Sequence, residues 1–300
     1  MIQIQDVSKR FGDIPAVVSV RADIREGQVF GLVGTNGAGK STLLRMMAGV
    51  LKADSGTILV DGTSVYENAE AKSKICFIPD TGAFPASATP AVMMKYYSIF
   101  YPAFRTERCA QLLDRIGLDA RRKIRTFSRG MKKQLSVVLG VCAGTKYLLC
   151  DETLDGLDPV MRQAVKSIFA MEMCDREFVP VIASHDMREL EDICDHVGLL
   201  HRGGLLFSED LEEMKFHTQK VQCVLKDPEQ ETKLLGMLNV IRTEKRGSIL
   251  SVVARGTRTE ILETVTQFEP VFAESVPLTL EEIFISETEV AGYELSDIFA

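Results

Sequence analysis

Gly34-Thr35-Asn36-Gly37-Ala38-Gly39-Lys40-Ser41-Thr42 decides how this chain is read. The run matches the pattern GxxxxGK[ST] without a gap, and its flanks are the ones that pattern requires. Gln28-Val29-Phe30-Gly31-Leu32-Val33 before it reads as a buried strand, and Leu43-Leu44-Arg45-Met46-Met47-Ala48 after it as a helix. The glycines let the backbone wrap tightly, so that successive N–H groups face phosphate oxygens. The helix N-terminus adds partial positive charge, and Lys40 adds a full one. The Ser41 hydroxyl suits Mg²⁺ bridging the outer phosphates. Gly34, Asn36, Gly37, Ala38, Gly39, Lys40, Ser41 and Thr42 therefore imply a nucleoside triphosphate site.

The bulk numbers are compatible with one large or two ordinary domains: 300 residues, 46% of them hydrophobic. A net charge of −7 gives no global basic surface, so nucleic acid is not an expected partner. Arg121-Arg122-Lys123 and the basic residues of 129–133 read as solvated helix ends. Seven cysteines, an odd number without a CxxC pair, argue against a disulfide framework or a zinc site. Cys76, Cys142 and Cys150 lie in apolar runs and read as small buried hydrophobes, which suits a reducing cytosol. Residues 1–7 alternate like a strand and carry no signal-peptide core. The richest apolar run, residues 135–150, is interrupted by Gly140, Gly144, Thr145 and Lys146, so no membrane span is expected.

Strands are expected over residues 2–7, 17–24, 29–33 and 56–60, with Asp61-Gly62 as a hairpin-type turn. Residues 92–101, 105–116 and 131–143 carry apolar positions at helical spacing and form a helical region over about 85–145. Strands return at 147–151 and 179–184 around a helix over 160–176, followed by a helix at 187–194 and strands at 197–201 and 205–208. From residue 218 to 300 the order strand–helix–strand–strand–helix–strand predicts a separate small α/β domain of the ferredoxin-like, split-βαβ kind. It holds no cluster of ligand-type residues.

Lys146-Tyr147-Leu148-Leu149-Cys150-Asp151-Glu152 is an apolar strand ending in two acids. Its spacing from the phosphate loop is that of a neighbouring strand in the same sheet. Asp151 is placed to hold Mg²⁺, and Glu152 to orient the attacking water and accept its proton. His185 ends another apolar run, Val181-Ile182-Ala183-Ser184. From the residues alone it either caps a strand-to-helix turn or contacts the terminal phosphate.

Together with Phe127-Ser128-Arg129-Gly130-Met131 and Gly156-Leu157-Asp158-Pro159, these segments resemble, in order and spacing, the ATPase subunits of ABC transporters over residues 1–217. The resemblance implies an α/β P-loop NTPase fold of the ABC ATPase type. Its parts are a mixed sheet core, an antiparallel β subdomain and a helical subdomain. ATP and Mg²⁺ are the implied ligands. Phe11 takes the position of the aromatic that stacks on adenine, Glu152 that of the catalytic glutamate and His185 that of the switch histidine. Ser128 and Gly130 take the signature positions that cap the nucleotide of a second subunit, and Asp158 that of the loop linking two subunits.

Two positions depart from the family pattern. Arg129 replaces the first glycine of the signature LSGGQ, as in some exporter-type members. Asp80, after Ile75-Cys76-Phe77-Ile78-Pro79, stands where glutamine is usual; it can still face Mg²⁺ or water. The aromatics Phe84, Tyr96, Tyr97, Phe100, Tyr101 and Phe104 read mostly as helix core, some of them as a groove for a transmembrane partner. Leu278-Thr279-Leu280-Glu281-Glu282-Ile283-Phe284 resembles a C-terminal segment of exporter-type subunits. The resemblance implies an ATP-hydrolysing subunit that is cytoplasmic and peripheral on the inner face of the cell membrane. It would energise a separate integral membrane permease, in the direction of export, as a homodimer or a heterodimer. A soluble nucleotide-gated regulator with little turnover is the alternative. Ribosome- or DNA-acting relatives fit less well, since one phosphate loop is present and too few residues separate Lys40 from Asp151 for a long coiled coil. No NKxD guanine-reading motif occurs.

Overall fold

A computed structural model describes residues 1–80, 84–227 and 229–290. The end of the expected C-terminal domain, residues 291–300, lies outside the described residues. Contacts divide the chain into two units, Met1–Ser208 and Glu209–Ala300.

The first unit opens with an antiparallel pair, β1 (Ile2–Phe11) and β2 (Ile14–Ile24). β3 (Phe30–Val33) then runs into α1 (Lys40–Met47), and β4 (Ser55–Val60) and β5 (Thr63–Ser64) complete a sheet of order β2-β1-β4-β5. α2 (Ala69–Ser73) and β6 (Ile75–Ile78) lead to three helices, α3 (Pro90–Phe100), α4 (Thr106–Arg115) and α5 (Arg129–Cys142). The chain re-enters the core with β7 (Tyr147–Asp151), α6 (Pro159–Asp175), β8 (Val179–Ser184), α7 (Met187–Ile193), β9 (His196–His201) and β10 (Gly204–Asp210).

The central sheet has the order β10-β9-β3-β8-β7-β6, and its pairings from β9 to β6 are parallel. All residues of β3, β7 and β8 are buried, as expected for parallel strands covered on both faces. One core cluster joins Phe30 and Leu32 of β3, Leu43, Leu44, Met46 and Met47 of α1, and Leu149 and Val181 of the neighbouring strands. Burying each such side chain contributes about 1.5–3 kcal/mol and seats α1 firmly on the sheet.

This order corrects one expectation. β7 is not the neighbour of β3, because β8 is inserted between them. α1 packs on both β7 and β8, so its first turn reaches over the end of β8 to the tip of β7. The small Ala183 and Ser184 at that end leave the path open.

In the helical part, Tyr97 packs on Tyr101 and Phe104 with ring centroids 5.6 and 5.9 Å apart. Tyr96 and Phe100 are exposed, so these two are surface rather than core. The fully buried Glu172 of α6 is ringed by Arg105, Arg108 and Arg176. That cluster ties the start of α4 to α6.

The second unit holds α8 (Leu211–His217), β11 (Thr218–Val224), α9 (Glu229–Met237), β12 (Asn239–Arg246), β13 (Ile249–Arg255), α10 (Arg258–Thr266), β14 (Phe272–Val276) and α11 (Leu280–Val290). Its antiparallel sheet has the order β12-β13-β11-β14, the split-βαβ arrangement expected from the sequence. Val221, Cys223, Leu234, Leu250, Val252, Ala254, Ile261 and Val265 form its own core. At the start of α11, Thr279 and Glu282 cap each other reciprocally: the Thr279 N–H donates to the Glu282 carboxylate and the Glu282 N–H to the Thr279 hydroxyl. The exporter-like C-terminal segment is thus a helix start with Leu278, Leu280 and Ile283 buried behind it.

Candidate active site

The phosphate loop follows β3 and is pressed against the protein where glycine is needed. A Cβ on Gly34 would lie 2.4 Å from the Leu200 carbonyl oxygen, and one on Gly39 2.2 Å from that of Ala16. Gly39 also has φ 105°, which L side chains rarely adopt. Lys40 is buried, and its ammonium donates to the Gly34 carbonyl at 2.7 Å and the Thr35 carbonyl at 3.1 Å, closing the loop around it. Burial lowers the Lys40 pKa, against the opposing pull of Glu152, Asp155 and Asp151. Asn36 and Gly37 at the crest of the loop are exposed, while Ala38 packs inward.

The Ser41 hydroxyl donates to Asp151 Oδ1 at 2.8 Å across the end of β8. Asp151 is 1% exposed, and burial pushes its carboxyl up, against the Ser41 bond. Two hard oxygen donors in contact, one an under-compensated buried carboxylate, are a donor set that fits Mg²⁺. Thr42 follows on the same helical turn, half-buried.

Glu152 has φ 48°, a left-handed conformation unusual for this residue type. Such strain costs on the order of 1–3 kcal/mol and persists only where the surroundings hold it. Here the Glu152 N–H donates to the Ala183 carbonyl at 2.9 Å, and the Lys133 ammonium donates to the Glu152 and Asp155 carbonyls at 2.6 and 2.8 Å. The Glu152 carboxylate lies 3.7 Å from Lys40 Nζ and 3.6 Å from His185 Nδ1. The structure therefore brings together Lys40, Ser41, Asp151, Glu152 and His185 at the carboxyl end of three parallel strands.

Sequence reasoning missed two members of this cluster. Lys133, read as part of a solvated helix end, is 6% exposed and grips the loop after β7. It lies on the same face of α5 as Arg129, one turn further from the helix start, and is buried where Arg129 stays in solvent. Asp155, whose carboxylate sits 3.0 Å from His185 Nδ1, is an unremarked acid four residues beyond Asp151. The capping role considered for His185 belongs to Asp186, whose carboxylate accepts from the N–H groups of Arg188 and Glu189.

Asp80 follows β6 and lies 3.9 Å from the Arg129 guanidinium and 3.8 Å from Lys133 Nζ. It is close enough to Asp151 to help raise that carboxyl. It therefore stands between the Ser41–Asp151 pair and the start of α5.

Comparison with known proteins identifies the family. The ABC transporter family model matches residues 17–155. The ABC transporter ATP-binding protein YtrB of Bacillus subtilis is 30% identical over 287 residues, covering 96% of this chain and 98% of the relative. The chain belongs to the ABC transporter ATP-binding proteins. The linearmycin resistance ATP-binding protein LnrL of Bacillus subtilis is 31% identical over 69% of this chain and 68% of its own. A dimeric ATP-binding cassette, MJ0796, solved in a post-hydrolysis state with ADP and Pi, shares the fold with TM-score 0.63 and 19% identity, over 70% of this chain and 99% of that one.

As an ABC transporter ATP-binding protein, the chain is an ATPase that converts ATP and water to ADP and phosphate. The remaining motif residues sit outside the cluster described above. Phe11, at the end of β1, is half exposed, with Lys9 Nζ 5.8 Å from its ring centroid. Ser128 caps α5, its hydroxyl accepting from the Met131 N–H at 3.2 Å, and Gly130 lies half-buried in the first turn. Asp158 caps α6, its carboxylate accepting from the Met161 N–H at 2.9 Å. Among the described residues, no hydrogen bond or ion pair joins Ser128, Gly130 or Asp158 to the phosphate loop.

Proposed function

We propose that ATP hydrolysis by this chain drives a separate membrane-embedded permease, working in the direction of export. The observation that carries the chemistry is the convergence of Lys40, the Ser41–Asp151 pair and the strained Glu152 at one end of the sheet. In this reading the ATP phosphates lie along the loop from Gly34 to Thr42, with the adenine against Phe11. Lys40 holds charge on the terminal phosphoryl group. Glu152 orients the attacking water and takes its proton, and His185 donates to the transferring group. Ser41 and Asp151, with Asp80 nearby, would hold Mg²⁺. Bound there, the ion would neutralise charge on the outer phosphates.

Head-to-tail dimerisation is part of the same proposal, with the same chain or a sister subunit as partner. Ser128 stands exposed and Gly130 half-buried at the start of α5, and among the described residues neither bonds to the phosphate loop of its own chain, which suits capping the partner's ATP. Asp158 would lie along that interface. ATP closes the dimer, and hydrolysis with phosphate loss reopens it, moving the permease.

An exposed apolar stripe on α3 supports permease docking. Val92, Tyr96, Ile99 and Phe100 fall on one face of the helix, and all four are exposed. Among the described residues no helix is long and apolar enough to cross a membrane. That supports a peripheral subunit on the cytoplasmic face, working with a partner that spans. Export is supported by the resistance role in the name of LnrL. We assign residues 1–217 to the ATPase domain and 218–300 to an accessory domain.

The experiment is reconstitution with the permease encoded beside the gene. Mg-ATP turnover should rise when the permease is present, and substrate should move out of the compartment holding the ATPase. Turnover without any permease dependence would overturn the transport role and leave a free-standing ATPase.

A further inference from the structure

We propose that Asp155 is a positioning residue of the hydrolytic site: it draws the His185 imidazole by Nδ1 and so keeps it off Glu152. Two carboxylates compete for that single ring nitrogen. Asp155 Oδ2 lies 3.0 Å from His185 Nδ1, and Glu152 Oε1 lies 3.6 Å away. Both Asp155 oxygens are buried, with the Ser184 hydroxyl and His185 as the neighbours that favour the charged carboxylate, whereas the His185 side chain is half exposed. A buried carboxylate is held best by positive or proton-bearing neighbours, and His185 Nδ1 is at contact distance. The loop that carries Asp155 is fixed from below by Lys133, which accepts no freedom from either end: its ammonium holds the Asp155 and Glu152 carbonyls together.

The chemical consequence follows from the two nitrogens of the ring. A ring that donates from both nitrogens, the imidazolium, gives its Nδ1 proton to Asp155 and its Nε2 proton to a phosphate oxygen, and the Glu152 carboxylate keeps its lone pairs for water. Without Asp155, the nearest acid for the imidazole is Glu152 itself. Pairing there would occupy the base and misplace the donor at once. Asp155 therefore acts through His185 and does not touch the reacting atoms.

This inference rests on Glu152 being the base, so the test separates the two. Mg-ATP turnover is measured for the parental chain, Glu152→Gln, Asp155→Ala, Asp155→Asn, His185→Ala and the Asp155→Ala/His185→Ala double variant, with nucleotide affinity taken from titration of a fluorescent ATP analogue. Asp155→Ala should lower kcat by about tenfold, within the range of coupling for groups in contact, while ATP affinity and KM stay near parental. Asp155→Asn, which keeps an acceptor oxygen, should recover most of that loss. Removing Asp155 from the His185→Ala background should cost nothing further. Equal losses from Asp155→Ala in both backgrounds, or a loss confined to nucleotide affinity, would overturn the positioning role. Parental turnover by Glu152→Gln would instead remove the reading on which it rests.

Discussion

Asp80 and Arg129 face each other, the Arg129 guanidinium 3.9 Å from Asp80 Oδ1. These are the two positions where the chain departs from the family pattern, and the fold places them side by side. The acid at the glutamine position and the base at the glycine position compensate in charge. Arg129 is nevertheless 85% exposed, and Lys133 gives Asp80 a second, buried cation at 3.8 Å.

Arg129→Gly should therefore leave turnover within about fivefold of parental, because an exposed ion pair contributes at most about 1 kcal/mol. Phosphate release by the variant checks this. A collapse of activity would show that the arginine itself touches nucleotide or the second subunit.

Glu152→Gln should reduce kcat by about 10²- to 10⁴-fold, the usual contribution of a positioned base. The substitution keeps the backbone demand at φ 48° and the contacts that hold it, so the melting temperature should not move. ATP binding should persist, and size-exclusion chromatography with Mg-ATP should show a trapped dimer.

Lys40→Ala should weaken nucleotide binding by roughly 10- to 150-fold, as expected from losing charge-assisted bonds of about 1.5–3 kcal/mol. Titration with a fluorescent ATP analogue measures it. Undiminished affinity would contradict the assignment of the loop.

Glu172→Ala should destabilise the first unit by about 3–5 kcal/mol, since it strips a buried carboxylate from Arg105, Arg108 and Arg176 and leaves their charge uncompensated. Urea unfolding gives the value, and Glu172→Gln should fall between the two. Turnover is not expected to suffer at temperatures where the variant is folded.

Glu189 gives a pH dependence of defined sign. Burial pushes its carboxyl up from 4.5 to about 7, against the hydrogen bond it accepts from the Gly156 N–H, with Asp155 adding to the rise. Between those values the folded chain holds a proton that the unfolded chain has lost, so this group's contribution falls as pH rises from about 4.5 to 7. Glu189→Gln removes the titration. Its melting temperature relative to the parental chain should rise between pH 5 and pH 8; a constant difference would contradict the assignment.

The parts of the site legible in the sequence are those made by consecutive residues. The loop from Gly34 to Thr42 and the Asp151-Glu152 pair each carry their chemistry in local order, and the Asp61-Gly62 turn was equally plain. The C-terminal order of strands and helices was readable because each element is short, periodic and bounded by turn residues. Lys133 and Asp155 were not readable. A lysine one turn into a helix looks the same in sequence whether it faces solvent or grips a loop. An acid between Glu152 and Asp158 shows its partner only once β7 and β8 bring His185 alongside.

From the chain of letters alone came the ligand, the order of the motifs and the fold class, since phosphate-binding geometry is written in a few adjacent residues. Folding in three dimensions decided that β8 separates β3 from β7, that Glu152 is held in a strained backbone, and that Asp80 meets Arg129. The reason is that strand order and side-chain meeting points depend on packing between distant segments, which no local pattern encodes.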